Sequence, residues 1–215
     1  MYKNIMFDLD GTLTDSGRAI TSSVEYALEQ FGITDQPREK LETFIGPSLF
    51  DSFKREYDMS DEDCEKAVSL YRSIYEAERM YDVDIYEGIP ELLKTLKQQD
   101  FKVLLITSKP LKFAKKILER IGLADFFDYM VGPDLNDHSS DKKRLIEKAV
   151  YEYKLVKNDC IMIGDTKYDI AGAVDAGVDS IGVTYGYGST DEMKAASATY
   201  MVDSVGEISK ILIEG

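Results

Sequence analysis

The sequence contains no tryptophan, a single histidine and only two cysteines in 215 residues. Cys64 and Cys160 stand far apart and outside any Cys-x-x-Cys spacing, which argues against a zinc site or a dithiol redox centre. We interpret both as thiols that stay reduced in a cytosol. The one histidine, His138, falls in a predicted loop, so a mechanism based on histidine is not indicated.

Long apolar runs and basic residues are also scarce. The sequence has no stretch of about 18 apolar residues that could span a membrane, and Met1 leads into the first predicted strand without a signal segment. The 26 basic residues face 40 acidic ones, which gives a formal net charge of −14. Such a surface repels the phosphates of nucleic acids. We therefore expect a cytoplasmic protein without a membrane or nucleic-acid partner, either a monomer or a homodimer.

The most informative stretch lies near the start of the chain. Three apolar residues, Ile5-Met6-Phe7, run directly into Asp8-Leu9-Asp10-Gly11. A short continuous apolar run is typical of a strand buried on both faces of a parallel sheet, and Asp-Gly favours a sharp turn after it. Residues i and i+2 of a strand project the same way, so Asp8 and Asp10 could face one pocket. Two close carboxylates repel each other, which predicts a cation between them.

The order of the predicted elements indicates an α/β protein. Residues 16–83 contain only helical patterns, whereas from Tyr86 onward short apolar strands alternate with helical stretches. This alternation is typical of crossover units in a parallel sheet. We predict a doubly wound, Rossmann-like catalytic core of residues 1–15 and 84–215, interrupted by an all-helical cap domain of residues 16–83. The junctions near Asp15 and Asp84 would act as hinges of a lid.

Polar residues also follow the other predicted strands, at the same edge of the sheet. They are Thr107 and Ser108 after the second core strand, Lys142 and Lys143 after the third, and Asp165 and Asp169 after the fourth. Carboxylates from two strands suit a hard cation with oxygen ligands and retained water, which describes Mg²⁺ better than Zn²⁺. The densest acidic run, residues 58–65, is interpreted as the solvated start of a helix and not as a metal site.

In these residues the chain resembles the haloacid dehalogenase superfamily, in its Mg²⁺-dependent phosphatase branch. Asp8-Leu9-Asp10-Gly11-Thr12-Leu13 is similar to the first motif of that superfamily, and Thr107, Lys142 and Gly164-Asp165-x-x-x-Asp169 match the second, third and fourth motifs in order. The helical insert stands where the superfamily carries its small helical cap. The resemblance covers essentially the whole chain and implies a phosphatase that uses Mg²⁺.

The resemblance also implies a role for each matching residue. Asp8 would be the nucleophile that forms an aspartyl-phosphate, and Asp10 would be the general acid and then the general base. Mg²⁺ would be held by the Asp8 carboxylate, the Asp10 backbone carbonyl and the Asp165 carboxylate. Asp169 would support that shell or ligate through water.

A second implied set would bind the phosphate group. Its members are Thr107 and Ser108, the backbone N–H groups of Leu9 and Asp10, and Lys142, which would neutralise charge between the nucleophile and the phosphate. The third motif departs from the Lys-Pro-x-Pro of many relatives, because the segment here reads Ser139-Ser140-Asp141-Lys142-Lys143-Arg144. We favour Lys142 as the motif lysine, and Lys143 stays open as the alternative.

The sequence says less about the substrate. Ile45-Gly46-Pro47-Ser48-Leu49 resembles a cap segment of phosphoglycolate phosphatase relatives and of bacterial 5′-nucleotidase-like members, and residues 184–189 resemble the second group more closely. We predict hydrolysis of a small phosphate monoester, phosphoglycolate phosphatase-like, with a 5′-nucleotidase as the alternative. The third candidate is a phosphosugar mutase, and the fourth is a non-catalytic protein that binds phosphorylated ligands. A dehalogenase is disfavoured, since it would have no use for Asp10 and the metal set.

Overall fold

The computed structural model describes residues 2–135, 137 and 141–214. The expectations that concern His138, Ser139 and Ser140 therefore lie outside the described residues. In chain order the strands and helices are β1 (Asn4–Phe7), β2 (Thr14–Asp15), α1 (Gly17–Glu29), α2 (Arg38–Glu42), α3 (Leu49–Tyr57), α4 (Asp61–Ile74), β3 (Asp84–Ile85), α5 (Ile89–Gln98), β4 (Lys102–Ile106), α6 (Leu111–Arg120), β5 (Tyr129–Val131), α7 (Lys142–Glu152), β6 (Cys160–Gly164), α8 (Lys167–Ala176), β7 (Asp179–Val183), α9 (Thr190–Ala195), β8 (Tyr200–Val202) and α10 (Val205–Ser209). A π-helical turn continues α4 over Tyr75–Arg79, and another continues α10 over Lys210–Glu214.

Six strands form a parallel sheet in the order β5-β4-β1-β6-β7-β8. Phe7 of the central strand β1 is in register with Leu105 of β4 on one side and Ile163 of β6 on the other. The chain passes from β1 to β4 and β5, then returns across β1 to continue with β6. Open parallel sheets bind their ligands outside the strands' carboxyl ends at such a reversal. The predicted α/β class with a doubly wound sheet is confirmed.

Helices cover both faces of this sheet, and the side chains of β1 alternate between the faces. Ile5 and Phe7 pack into a hydrophobic cluster that includes α5 and α10. Met6 points to the opposite face and packs with side chains of α7 and α8. All three side chains are completely buried. The continuous apolar run is therefore a strand covered on both faces, as the sequence predicts.

The helices between β2 and β3 enclose a hydrophobic cluster of their own. It includes Val24 of α1, Phe53 of α3 and Tyr71 of α4, and it continues onto Phe113 and Ile117 of α6. The insert is therefore packed against the core through α6. Within the described part of the chain, none of the helices has the length and apolarity that crossing a membrane requires.

The helix α4 shows why the acidic run of residues 58–65 has a structural role. The Ser60 hydroxyl accepts a hydrogen bond from the N–H of Asp63, and the first turn of α4 contains three acidic residues. Negative charge at a helix N-terminus is stabilised by the exposed N–H groups there. The run is thus the start of a helix, as predicted.

A short antiparallel ladder joins the two ends of the insert. Thr14 pairs with Ile85 and Asp15 pairs with Asp84, so β2 and β3 lie side by side. The sequence did not predict this ladder, because strands of two residues contain too little periodicity to recognise. Both passages of the chain into the insert therefore run next to each other.

Candidate active site

The turn after β1 carries Asp8 and Asp10 at the carboxyl edge of the sheet, where both are buried. The Asp8 N–H donates to the Ile163 carbonyl at 2.9 Å, which extends the pairing with β6 by one residue. The Leu9 carbonyl then accepts the N–H of Leu13 at 3.0 Å. The strand thus delivers the two carboxylates and turns away at once.

Asp165, which follows β6, is fully buried, and two backbone segments crowd around its side chain. Gly11 has a φ of +83°, which favours glycine, and a Cβ there would lie only 2.1 Å from Asp165 Oδ2. A Cβ on Gly186 would lie 2.4 Å from the Cβ of Asp165. The Tyr187 N–H donates to Asp165 Oδ2 at 2.8 Å. Glycines at these two positions therefore let the backbone close around the carboxylate.

A buried cluster of charges forms where β1, α7 and α8 meet. Carboxylate oxygens of Asp8, Asp165 and Asp169 lie within 4.8 Å of one another. The Lys142 Nζ is 2.7 Å from Asp8 Oδ1 and 2.8 Å from Asp169 Oδ1, and it donates to the Ile106 carbonyl at 3.0 Å. One ammonium group and three carboxylates therefore share a site removed from water.

The pKa values of the cluster reflect this imbalance. Burial raises the pKa of Asp8 to about 7, although the adjacent Lys142 ammonium opposes the rise. Burial, and then the charges of Asp169 and Asp8, raise the pKa of Asp165 well above its usual range. For Lys142, burial lowers the pKa but the two carboxylates outweigh it, so the pKa is raised. The site thus keeps Lys142 charged, and the raised pKa values of Asp8 and Asp165 show that their negative charges are crowded together, which another cation would relieve.

This donor set fits Mg²⁺, which prefers hard oxygen ligands and commonly takes one or two carboxylates together with water. Among the described residues the cluster consists of aspartates alone, without the sulfur or imidazole ligands typical of zinc. Asp8 and Asp165 supply carboxylates, and the Asp10 carbonyl belongs to the same turn as Asp8.

Asp169 is oriented by the start of α8. Its Oδ2 accepts hydrogen bonds from the N–H of Thr166 at 3.1 Å and from the Thr166 hydroxyl at 2.7 Å, which completes a capping box. Its Oδ1 is thereby turned to Lys142. The helix cap and the charge cluster share this one carboxylate.

Lys142 is oriented by the first turn of α7 and by the close packing of α7 on α8. A Cβ on Gly172 of α8 would lie 2.6 Å from the Lys142 Cβ, so glycine is needed for this approach. The backbone N–H of Lys143, one position later, donates to the capping carboxylate of Asp141 at 3.0 Å. The contacts with Asp8 and Asp169 are made by Lys142.

Thr107 follows β4 and is buried at the same edge of the sheet. Its N–H donates to the Val131 carbonyl at 3.0 Å, and its hydroxyl accepts the N–H of Lys109 at 3.1 Å. Ser108 lines the space between the sheet edge and the insert. The candidate residues from β1, β4, β6, α7 and α8 are thus brought to one edge.

The Asp10 carboxylate has partners different from those of Asp8. Its Oδ1 accepts a hydrogen bond from the Ser16 hydroxyl at 2.6 Å and lies 2.9 Å from the Lys109 Nζ. The same Nζ donates to the hydroxyl of Tyr75 in the insert at 2.8 Å. The sequence places Lys109 beyond Thr107 at this edge but assigns no role to Lys109 or Tyr75, because no local pattern marks residues whose partners are distant in the chain.

A pocket of about 690 Å³, part of it open to solvent, separates the insert from the sheet edge. Its walls are mostly apolar and aromatic, with Ile20, Phe44, Phe50, Tyr71, Tyr75 and Phe113 among the lining residues. Arg72 also lines it, and the Arg72 Nε is buried without a hydrogen-bond partner among the residues that the structure describes. Asp10 and Lys109 border the same space.

Residues 5–183 match the family model described as haloacid dehalogenase-like hydrolase, which spans most of the chain. The chain belongs to this family. The family predicted from the four motifs is therefore confirmed, and so is the expectation of a hydrolase.

Relatives of this haloacid dehalogenase-like hydrolase match it almost end to end. It is 36% identical over 211 residues to a 5′-nucleotidase of Pseudomonas aeruginosa, which covers 98% of this chain and 96% of that protein. It is 28% identical over 218 residues to a phosphoglycolate phosphatase of Vibrio parahaemolyticus, with 98% and 96% covered. The crystal structure of a predicted phosphatase from Clostridium acetobutylicum has a TM-score of 0.96 and 42% identity, with 100% of both chains covered. The fold is thus shared over the whole chain.

Proposed function

We propose that this hydrolase is a Mg²⁺-dependent phosphatase that releases phosphate from a small phosphate monoester through a phosphoaspartate at Asp8. One observation carries the proposal: Asp8 lies at the carboxyl edge of the sheet in a buried cluster with Lys142, Asp165 and Asp169. Carboxylates act as covalent nucleophiles in other phosphoryl-transfer enzymes. The phosphatase names of relatives that match the whole chain support the same reaction.

The reaction has two steps, which share one acid–base group. The Asp8 carboxylate attacks phosphorus while the ester P–O bond breaks, and Asp10 donates a proton to the departing oxygen. Water then attacks phosphorus, Asp10 takes up the water proton, and the bond between Asp8 and phosphorus breaks to release inorganic phosphate. A single carboxyl can serve both steps because the first leaves it in the form that the second needs.

The remaining charges neutralise the transferring group. Lys142 holds one oxygen of Asp8 and faces the phosphoryl oxygens, and its contacts support the choice of Lys142 over Lys143 for this role. Asp8, Asp165 and the Asp10 carbonyl would hold Mg²⁺, with Asp169 in support. Bound there, Mg²⁺ would supply positive charge to the phosphoryl oxygens.

The phosphate oxygens need donors as well as positive charge. We assign this task to the hydroxyls of Thr107 and Ser108 and to the backbone N–H groups of Leu9 and Asp10. The buried position of Thr107 on the strand beside β1 supports the assignment.

We also propose that residues 16–83 form a cap domain on a core of residues 1–15 and 84–215, hinged near Asp15 and Asp84. The separate hydrophobic cluster of the insert supports this division. The β2–β3 ladder supports the hinge, since it keeps both crossings of the chain together. A cytoplasmic location is proposed as well, supported by the buried, free thiols of Cys64 and Cys160.

Within this reaction class we favour a nucleoside monophosphate over phosphoglycolate. Phosphoglycolate would place a second anion in the pocket, whereas the lining is mostly aromatic and apolar. Aromatic side chains stack well on nucleobases. The buried Nε of Arg72 offers one donor to an acceptor on the base or sugar. The 5′-nucleotidase name of the 36% identical relative is consistent with this choice.

The test is phosphate release from a panel of phosphate monoesters, with and without Mg²⁺. We expect nucleoside monophosphates to give a higher kcat/KM than phosphoglycolate, EDTA to abolish turnover, and Asp8→Asn to lower kcat at least about 1,000-fold. Asp175→Asn, at an exposed position of α8, is the matched control and should retain activity. Full activity in EDTA or in Asp8→Asn would contradict the mechanism. No release from any monoester would leave a binding protein as the better explanation.

A further inference from the structure

Lys109 joins the core to the insert at a point that the proposed chemistry leaves without a role. It stands two residues after Thr107, and its side chain is only 7% exposed. Its ammonium group lies 2.9 Å from Asp10 Oδ1, on a side chain that is 9% exposed, and donates to the Tyr75 hydroxyl at 2.8 Å. One buried cation therefore contacts both the acid–base residue of the core and a residue of the insert.

The contacts of Asp10 distinguish its two oxygens. Oδ1 interacts with two donors, the Lys109 ammonium and the Ser16 hydroxyl. A carboxyl oxygen that already accepts two hydrogen bonds is a poor place for a proton, so the transferable proton belongs on Oδ2. Holding Oδ1 from two sides also prevents the carboxyl group from rotating.

Tyr75 is itself held where the insert meets the core. Its ring stacks on Tyr71 with centroids 5.3 Å apart, and it meets the edge of Phe113 of α6 at 5.8 Å. Tyr75 is almost completely buried. Its hydroxyl can therefore reach Lys109 only while the insert is packed against α6.

We infer that Lys109 is a positioning residue that couples the docked insert to the orientation of Asp10. With Tyr75 in place, the Lys109 ammonium fixes Asp10 Oδ1 and directs Oδ2 to the leaving oxygen. When the insert moves away, Lys109 loses its hydrogen bond to the Tyr75 hydroxyl. The Lys109 ammonium is then free to move and no longer fixes the Asp10 carboxylate. Proton transfer is thereby restricted to the covered pocket, where water is excluded. This inference rests on the proposed function, because it requires Asp10 to act as the general acid.

The experiment compares two substrates that differ in how much they need a general acid. An alkyl phosphate has a leaving oxygen that must be protonated, whereas p-nitrophenyl phosphate expels a stable anion. The variants are Lys109→Met and Tyr75→Phe, and the second keeps the ring while it removes the acceptor. Lys112→Met is the matched control, because Lys112 also links α6 to the insert through Glu76, at 2.9 Å, but is 51% exposed. Single-turnover rates with excess enzyme and Mg²⁺ isolate the transfer step.

We expect Lys109→Met to slow transfer from the alkyl phosphate about 100-fold and from p-nitrophenyl phosphate less than about 5-fold. Tyr75→Phe should slow transfer from the alkyl phosphate about 10-fold, also with little effect on transfer from p-nitrophenyl phosphate. Lys112→Met should change neither rate. An equal loss for both substrates, or a rise in KM alone, would overturn the inference. The proposed function is tested separately, by comparing turnover of the wild-type enzyme with that of Asp8→Asn. The proposed function and the role of Lys109 can therefore fail independently.

Discussion

Lys142 illustrates how a single residue is selected by contacts that its local sequence does not reveal. Lys142 and Lys143 are adjacent and chemically identical, and both follow the capping residue Asp141. Only the fold decides that Lys142 reaches Asp8, a residue 134 positions away, and that the backbone N–H of Lys143 serves the helix cap. A buried ammonium between two carboxylates is expected to matter far more than a half-buried neighbour.

The pair of lysines therefore allows a sharp comparison. We expect Lys142→Met to lower kcat/KM at least about 100-fold, because it removes the ammonium that holds Asp8 and that, in the proposed mechanism, neutralises the phosphoryl group. Lys143→Met should change kcat/KM less than about 3-fold, because the contacts with Asp8 and Asp169 are made by Lys142. Steady-state kinetics on one monoester is sufficient. A larger loss in Lys143→Met than in Lys142→Met would reverse the assignment.

At the scale of the elements, helix packing sets the geometry of the charge cluster. The helices α7 and α8 pack closely at Gly172, which lies against Lys142. The capping box at the start of α8 turns Asp169 towards the same lysine. Periodicity predicts that both helices exist, but it contains no information on how near they pass.

A single methyl group tests this packing. Gly172→Ala would place a Cβ 2.6 Å from the Lys142 Cβ and 2.9 Å from the Lys143 nitrogen, so α7 must shift. We expect a loss of about 1–3 kcal/mol in the free energy of unfolding, typical of overpacking, together with reduced kcat. In Gly206→Ala of α10, by contrast, the added Cβ meets nothing within 4 Å. In this control variant the free energy of unfolding should stay unchanged or rise by up to about 1 kcal/mol. Denaturant unfolding measures both variants, and equal effects would contradict the packing argument.

At the scale of the whole molecule, the proposed metal site can form only when distant segments meet. Asp8 follows β1 and Asp165 follows β6, and the sheet brings the two strands side by side. Ligands from separate segments cannot bind one ion together in the unfolded chain. Mg²⁺ should therefore bind the folded state selectively and stabilise it.

This coupling predicts a metal-dependent unfolding temperature. At a concentration about 100 times its dissociation constant, Mg²⁺ should add about 2.7 kcal/mol to the free energy of unfolding. Asp165→Asn should remove most of this increment, since one of the carboxylates is lost. Thermal unfolding with and without Mg²⁺ gives the comparison, with Asp175→Asn as the control. If Mg²⁺ stabilises Asp165→Asn as strongly as the wild type, the ion binds elsewhere in the protein.

Local patterns alone determined the strand before Asp8, the alternation of strands and helices, and the position of Asp8, Asp10, Thr107 and Asp165 at strand ends. These features depend on residues close in sequence, where periodicity and turn chemistry act.

The tertiary structure alone decided which contacts form between distant segments. It placed the Lys142 ammonium between Asp8 and Asp169, paired β2 with β3, and placed Lys109 between Asp10 and Tyr75. It also gave the Asp10 carboxylate partners of its own, Ser16 and Lys109, although Asp10 stands only two positions after Asp8. The physical reason is that ion pairs and close packing act through space, and their partners are set by the path of the whole chain and not by neighbours in sequence.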